Sequence, residues 1–116
     1  MSRRIEKINQ LIHQELSQII LKETRQENQG IILTIQEVQT THDLKLAKVW
    51  VSIFGTKINQ DIQKKAIKNL QKQAFNFQKI LSGRLDLKFI PKLTFKLDTG
   101  VESFYKIDQI IEKNKK

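Results

Sequence analysis

The chain of 116 residues has no cysteine, two histidines and four scattered glycines. Without cysteine there is no disulfide framework, no thiolate metal site and no cysteine nucleophile, which fits a reducing cytoplasm. Two histidines can complete a zinc site only with carboxylates, and no candidate nucleophile has an orienting partner beside it. The scattered glycines form no phosphate-binding loop. The sequence therefore predicts a protein that is not an enzyme and uses no metal, cofactor or small-molecule substrate.

Long apolar runs are also missing. No run exceeds four residues, whereas a membrane-spanning helix needs about 20. Met1 is followed by a charged amphipathic segment rather than by the apolar core of a signal peptide. We therefore expect a cytoplasmic protein without a membrane partner. The composition, 39% hydrophobic and 28% charged, is typical of a globular chain, and because no coiled-coil seam is present we expect a monomer.

Acidic residues are scarce in one stretch, residues 62–96. It holds nine basic residues and one acidic residue, a net +8 out of the +9 of the whole chain. The first part of this stretch has a helical apolar stripe. Opposite the stripe lies a row of cations with one aromatic residue, made of Lys64, Lys68, Lys72, Phe75 and Lys79. Like charges four residues apart weaken a helix, whereas lysines bind backbone phosphates, so the row predicts a nucleic-acid partner. A merely solvated helix face is the alternative.

Hydrophobic periodicity predicts the element order α-β-β-α-β-α, an α+β fold with helices on one face of a three-stranded sheet. The helices are expected at residues 3–23, 60–82 and 101–112, and the strands at 31–38, 46–54 and 92–97. Gly83 has the place of a C′ glycine after the second helix, and Pro91 the beginning or edge of the third strand. Residues 1–112 are expected to form a single domain, followed by a basic tail at 113–116.

Two blocks of sequence carry a resemblance. The first joins a Thr-x-x-x-Val strand to Thr-x-Asp-Leu-x-x-Ala and Val-Trp-Val-Ser, through Thr34, Val38, Thr41, Asp43, Leu44, Ala47, Val49, Trp50, Val51 and Ser52. The second reads Arg-Leu-x-Leu-x-x-x-Pro-x-Leu-x-Phe-x-x-Asp, from Arg84 to Asp98. Together they resemble ribosome-binding factor A, a family of bacterial small-subunit assembly factors, over nearly the whole chain.

The resemblance implies a type II KH-like fold, in which an Ala-x-Gly motif kinks the second main helix. Here Ala74, Phe75 and Asn76 match that motif, with asparagine in place of glycine. Asparagine tolerates a positive φ better than most residues, so we expect a kink near Ala74–Asn76, with a milder bend as the alternative. Phe75 would then either stack on an RNA base or turn back toward the core.

The resemblance also implies a function. It is that of a non-enzymatic factor that binds the free 30S subunit and assists late maturation or processing of 16S rRNA, near its 5′-terminal helix. The candidate RNA-binding residues are the cationic row, the kink and two further cations: Lys64, Lys68, Lys72, Ala74, Phe75, Asn76, Lys79, Arg84 and Lys88. A structural ribosomal protein or a general RNA-binding module is the alternative. A metal-dependent nuclease is disfavoured because the basic stretch has no carboxylate cluster.

Overall fold

The computed structural model describes residues 3–23, 30–55 and 58–98. Within them the elements are α1 (Arg3–Glu23), β1 (Ile31–Thr40), β2 (Leu46–Gly55), α2 (Gln60–Lys72), α3 (Ala74–Arg84) and β3 (Lys92–Leu97). The predicted α+β order is confirmed, with the second main helix divided in two. The final helix expected at 101–112 and the tail at 113–116 lie outside the described residues.

The three strands form one sheet in the order β1-β2-β3. β1 and β2 make an antiparallel hairpin with a bulge between Ile35 and Glu37, whereas β2 and β3 run parallel. Side chains alternate between the two faces, as the sequence predicted. The inward residues Ala47, Val49, Val51 and Ile53 are buried. The helices thus cover one face of the sheet, the arrangement expected of a type II KH-like fold.

The core lies between that face and the apolar stripes of the helices. α1 buries Ile8, Ile12, Leu16, Ile19 and Ile20, and the other two helices bury Ala66, Leu70, Ala74, Phe77 and Leu81. The ring of Phe77 is fully buried and meets Phe95 of β3 edge to face, with 6.0 Å between the ring centroids. None of the described helices is long and apolar enough to span a membrane.

The outer edge of β1 is covered by side chains of α1. Asn9 Oδ1 accepts the backbone N–H of Thr40 at 3.0 Å, and His13 Nε2 donates to the carbonyl oxygen of Ile35 at 2.9 Å. An uncovered edge strand is a template for pairing with another chain, and these bonds occupy two of its backbone groups. His13, which had no assigned role in the sequence, therefore helps to fix α1 against the sheet.

Gly83 is not the C′ residue that the sequence predicted. It lies inside α3, which continues to Arg84, and it does not have a positive φ. The helix ends because Leu85 takes an extended conformation, with φ −109° and ψ 136°, while its N–H still bonds the Leu81 carbonyl oxygen at 2.8 Å. Leu85 is thereby buried in the core, so packing of an extended residue ends this helix without a left-handed glycine.

Candidate nucleic-acid interface

The two helices of the basic stretch are separated by a single residue, Gln73. Its backbone has φ −90° and ψ 0°. Its N–H is shared between the carbonyl oxygens of Asn69 and Leu70, at 3.2 and 3.1 Å, and its own carbonyl oxygen accepts the N–H of Phe77 at 3.0 Å. These dihedral angles are open to any L-residue. The predicted kink is thus present, one residue before the Ala74–Asn76 motif.

Asn76 lies within the first turn of α3 and has no left-handed backbone. The bend therefore requires neither glycine nor the special tolerance of asparagine at this position. This is the physical reason why the chain can replace the glycine of the family motif and still interrupt the helix.

Two glutamines fix the bend by binding the outer edge of β3. Gln71, on α2, donates from Nε2 to the Leu93 carbonyl oxygen at 3.1 Å and accepts the N–H of Phe95 on Oε1 at 2.9 Å. Gln78, on α3, accepts the N–H of Leu93 at 3.2 Å. Both helices are therefore tied to the same strand, one on each side of the break.

Sequence reasoning missed these two glutamines. On a helical wheel both lie between the apolar stripe and the cationic face, on the same side of the helix. That position was the available signal, because a long polar side chain at the border of a buried face can reach the backbone of a neighbouring strand.

The cationic side chains that the sequence placed opposite the core are exposed on one outer surface. We call Lys64, Lys68, Lys72 and Lys79 the lysine row; each of them is exposed. Phe75 stays with them, 69% exposed, and Lys79 Nζ lies 5.4 Å from the centroid of its ring. Phe75 does not turn back into the core, because the break at Gln73 leaves it on the outer side of α3. An exposed ring beside a cation can stack on a base.

A groove of about 660 Å³ lies beside the first half of the lysine row. α2 contributes Lys64, Lys68 and Gln71 to its lining, and Phe95 of β3 contributes an apolar surface. Asp61 also lines it, in the first turn of α2, where a carboxylate is favourable to the helix dipole. In the described ranges no group of three or more His, Asp or Glu residues is placed to hold a metal ion. This surface can therefore hold a polyanion by its charge.

The structure separates the other predicted site residues from the lysine row. Ala74 is buried, so its side chain packs in the core. Arg84 Nη1 lies 3.2 Å from Glu15 Oε2 in an ion pair with α1, and 3.5 Å from Gln18 Oε1. Lys88 lies beyond α3, with Nζ 5.8 Å from the centroid of the Phe89 ring. The binding roles of these residues stay predictions.

The open face of the sheet carries a further aromatic side chain, Trp50. It is half-buried, its Nε1 donates to Gln39 Oε1 at 3.4 Å, and Lys48 Nζ lies 5.9 Å from its ring centroid. The ring thus packs among neighbouring side chains of the two strands, as residues that favour strands commonly do.

Comparison with known proteins points to one family. The family model for ribosome-binding factor A matches residues 4–111. Ribosome-binding factor A of Macrococcus caseolyticus is 32% identical over 111 residues, which cover 96% of this chain and 94% of the relative. The protein of the same name in Chlorobium phaeobacteroides is 39% identical over 118 residues, which cover 100% of this chain and 97% of the relative.

Solved structures share the fold. The crystal structure of ribosome-binding factor A from Thermus thermophilus superposes with a TM-score of 0.64 at 17% identity, over 80% of this chain and 94% of that one. A homology model of the Thermus thermophilus protein, fitted into the cryo-electron microscopy map of a 30S–RbfA complex, gives a TM-score of 0.55 at 19% identity, over 74% of this chain and 90% of that one. By sequence and by fold, the chain belongs to the ribosome-binding factor A family.

Proposed function

We propose that this chain is a non-enzymatic assembly factor that binds the free small ribosomal subunit and assists late maturation of 16S rRNA, near the 5′-terminal helix of that RNA. The observation that carries the proposal is the lysine row, a line of exposed cations with one exposed ring beside it. Within residues 3–23, 30–55 and 58–98, no carboxylate forms an ion pair with these lysines. Membership of the family supports the ribosomal partner, and the Thermus relative was fitted into a map of a 30S complex.

In this mechanism the lysine row holds the RNA backbone. Lysines that contact phosphates release condensed counterions, which gives affinity that depends strongly on salt and little on sequence. Such contacts position the protein rather than specify the RNA. Because Gln71 and Gln78 tie both helices to β3, the row has one shape, and specificity follows from the RNA shape that fits it.

The remaining properties belong to the same proposal. Residues 1–112 would act as one RNA-binding domain with the basic tail 113–116, as a monomer in the cytoplasm. The protein would hold one conformation of the rRNA during late maturation and leave when the subunit is finished. A structural ribosomal protein would differ in that last step, because it would stay in translating ribosomes.

The test is the position of the native protein when a cell lysate is fractionated on a sucrose gradient at modest salt. We expect it with free small subunits and not with whole ribosomes or polysomes. Presence in polysomes would instead indicate a structural or translational component. Presence only at the top of the gradient, even at low salt, would show that the lysine row is merely a solvated helix face.

A further inference from the structure

A second cavity, of about 600 Å³, is lined by residues 87–91 of the basic stretch and by two other parts of the chain. It forms where the start of α1, the β1–β2 turn and the segment between α3 and β3 meet, and we call it the loop pocket. Ile8 and Pro91, both buried, lie at its base. Clefts that bind small organic groups have volumes of roughly 300–1,000 Å³ and mostly apolar linings with a few polar groups. The loop pocket has that size and that composition.

The exposed lining of the loop pocket combines an aromatic ring with cations. Phe89 is 76% exposed, more than any other large apolar side chain among the described residues. Lys88 Nζ lies 5.8 Å from the centroid of its ring, and Lys45 enters the lining from the β1–β2 turn. An aromatic platform flanked by cations is the arrangement with which proteins bind single-stranded nucleic acid, since the ring stacks on a base and the cations hold phosphates.

The carboxylate of the loop pocket, Asp43, is already occupied by the turn. It accepts the Thr41 hydroxyl at 2.6 Å and the N–H of Lys45 at 3.1 Å. The hydroxyl bond, followed by the N–H bond, lowers the pKa of Asp43. The charge of Lys45 also lowers this pKa, so Lys45 already interacts with the carboxylate. Lys88 adds a further cation, and the lining therefore keeps an excess of positive charge that an anion brought by a ligand can meet.

The turn itself is strained in a way that shapes the loop pocket. Leu44 has φ 61°, a left-handed conformation that non-glycine residues rarely adopt. Its N–H bonds the Thr41 carbonyl oxygen at 2.9 Å, and its half-buried side chain lines the loop pocket while packing against the core. Local backbone strain of this kind concentrates at binding sites, where the surrounding structure holds it in place.

We propose that the loop pocket binds one unpaired RNA nucleotide, with its base stacked on Phe89 and its phosphates toward Lys45 and Lys88. The inference rests on the proposed function, because it takes RNA as the partner. It adds a contact that needs an unpaired base to the backbone contacts of the lysine row. The protein would therefore favour RNA that presents a single-stranded segment next to the phosphates held by the row.

The test compares two labelled RNA probes by fluorescence anisotropy with the full chain: a short uridine oligomer, and an abasic oligomer of the same length and charge. Phe89→Ala should weaken binding of the uridine oligomer roughly 5- to 150-fold and leave binding of the abasic oligomer and the salt dependence unchanged. Phe54→Ala is the matched control, since Phe54 is 61% exposed at the far end of β2, and it should change neither. Thermal unfolding of both variants should match that of the unmodified protein.

Each other outcome overturns the inference. Equal weakening of both probes would show that no base is recognised. An unchanged affinity in Phe89→Ala, or no binding of the uridine oligomer by the unmodified protein, would show that the loop pocket takes no unpaired nucleotide. If Phe89→Ala weakened binding to small subunits but to neither RNA probe, the loop pocket would be assigned to a contact with a ribosomal protein. The proposed function is judged separately, by sedimentation with small subunits.

Discussion

Replacing Lys64, Lys68 and Lys72 with alanine tests the lysine row directly. The three side chains are exposed and take no part in the core, so the change removes charge without removing packing. Each phosphate contact contributes roughly 0.7 to the slope of log affinity against log salt for single strands and 0.9 for duplexes. If all three lysines bind phosphates, the slope should fall by about 2 for single-stranded RNA. Between 50 and 200 mM salt, the unmodified protein should then lose roughly 20-fold more affinity than the variant.

The same variant should be slightly more stable. Lys64, Lys68 and Lys72 form two like-charge pairs at four-residue spacing, and each such pair costs about 0.2–0.5 kcal/mol. Alanine is also the best helix former. Urea unfolding should therefore show an increase of about 0.5–1 kcal/mol in the free energy of unfolding. Weaker binding together with greater stability separates loss of the binding surface from loss of the fold.

The matched control replaces three other lysines with alanine: Lys7, Lys22 and Lys96. They are exposed on α1 and β3 and lie outside the lysine row. It lowers the net charge by the same amount. Both variants are titrated with a labelled rRNA fragment by fluorescence anisotropy at several salt concentrations. An equal fall in the slope for the control would mean that only the total charge matters, and an unchanged slope for the row variant would refute the assignment of this surface.

Three further changes test the fold at the edge of β3, in the β1–β2 turn and in the core. Gln71→Leu should lower the free energy of unfolding by about 1–2 kcal/mol in urea unfolding, because it leaves two backbone groups of β3 without their partner. The same change at exposed Gln60 should have little effect. Equal effects of the two changes would contradict the anchoring role of Gln71. Thr41→Val should raise the pKa of Asp43 toward its usual value of 3.8, measured by NMR titration. A lowered pKa stabilises the fold above pH 3.8, and that contribution is lost as the pH falls toward the folded pKa. Thr41→Val should therefore also lose less stability than the unmodified protein below pH 3.8. If the pKa of Asp43 did not move, the Thr41 hydroxyl would be ruled out as the main cause of its lowering. Phe77→Ala should cost about 3–5 kcal/mol in urea unfolding, and a cost below about 1 kcal/mol would contradict the close packing of its ring.

The elements with clear periodicity could be predicted from the sequence. α1 begins and ends where the apolar spacing placed it, and the alternation of Ala47, Val49, Val51 and Ile53 identified the inner face of β2. Burial of one face imposes these patterns, so local sequence is enough to read them. The same reasoning found the lysine row, because a cationic face opposite an apolar stripe is also a local pattern.

The break at Gln73 could not be located in this way. Its single non-helical residue keeps the apolar stripe in phase, since Leu70 before it and Ala74 and Phe77 after it are all buried. A periodicity argument therefore describes one continuous helix, and the family motif placed the bend near the correct residue without giving its conformation. The predicted end of the second main helix was wrong for a related reason. Leu85 ends α3 by packing in the core, whereas Gly83 is an ordinary helical residue.

Contacts between distant parts of the chain were also beyond sequence reasoning. Arg84 was expected to bind phosphate, but Glu15, 69 residues earlier, forms an ion pair with it. A count of charge in the basic stretch cannot show this, since it ignores which elements face each other. Lys88 was predicted to bind RNA in addition to the lysine row, and charge alone did not show that the segment between α3 and β3 carries it to the loop pocket.

The stability of α2 comes from the face opposite its lysines. A helix of this length is marginal on its own, and the like charges of the lysine row weaken it further. Burial of Ala66 and Leu70, together with the two bonds from Gln71 to β3, supplies what the outer face lacks. Because folding uses the opposite face of this helix, the exposed lysines can serve the proposed binding role while the sheet holds the helix in place.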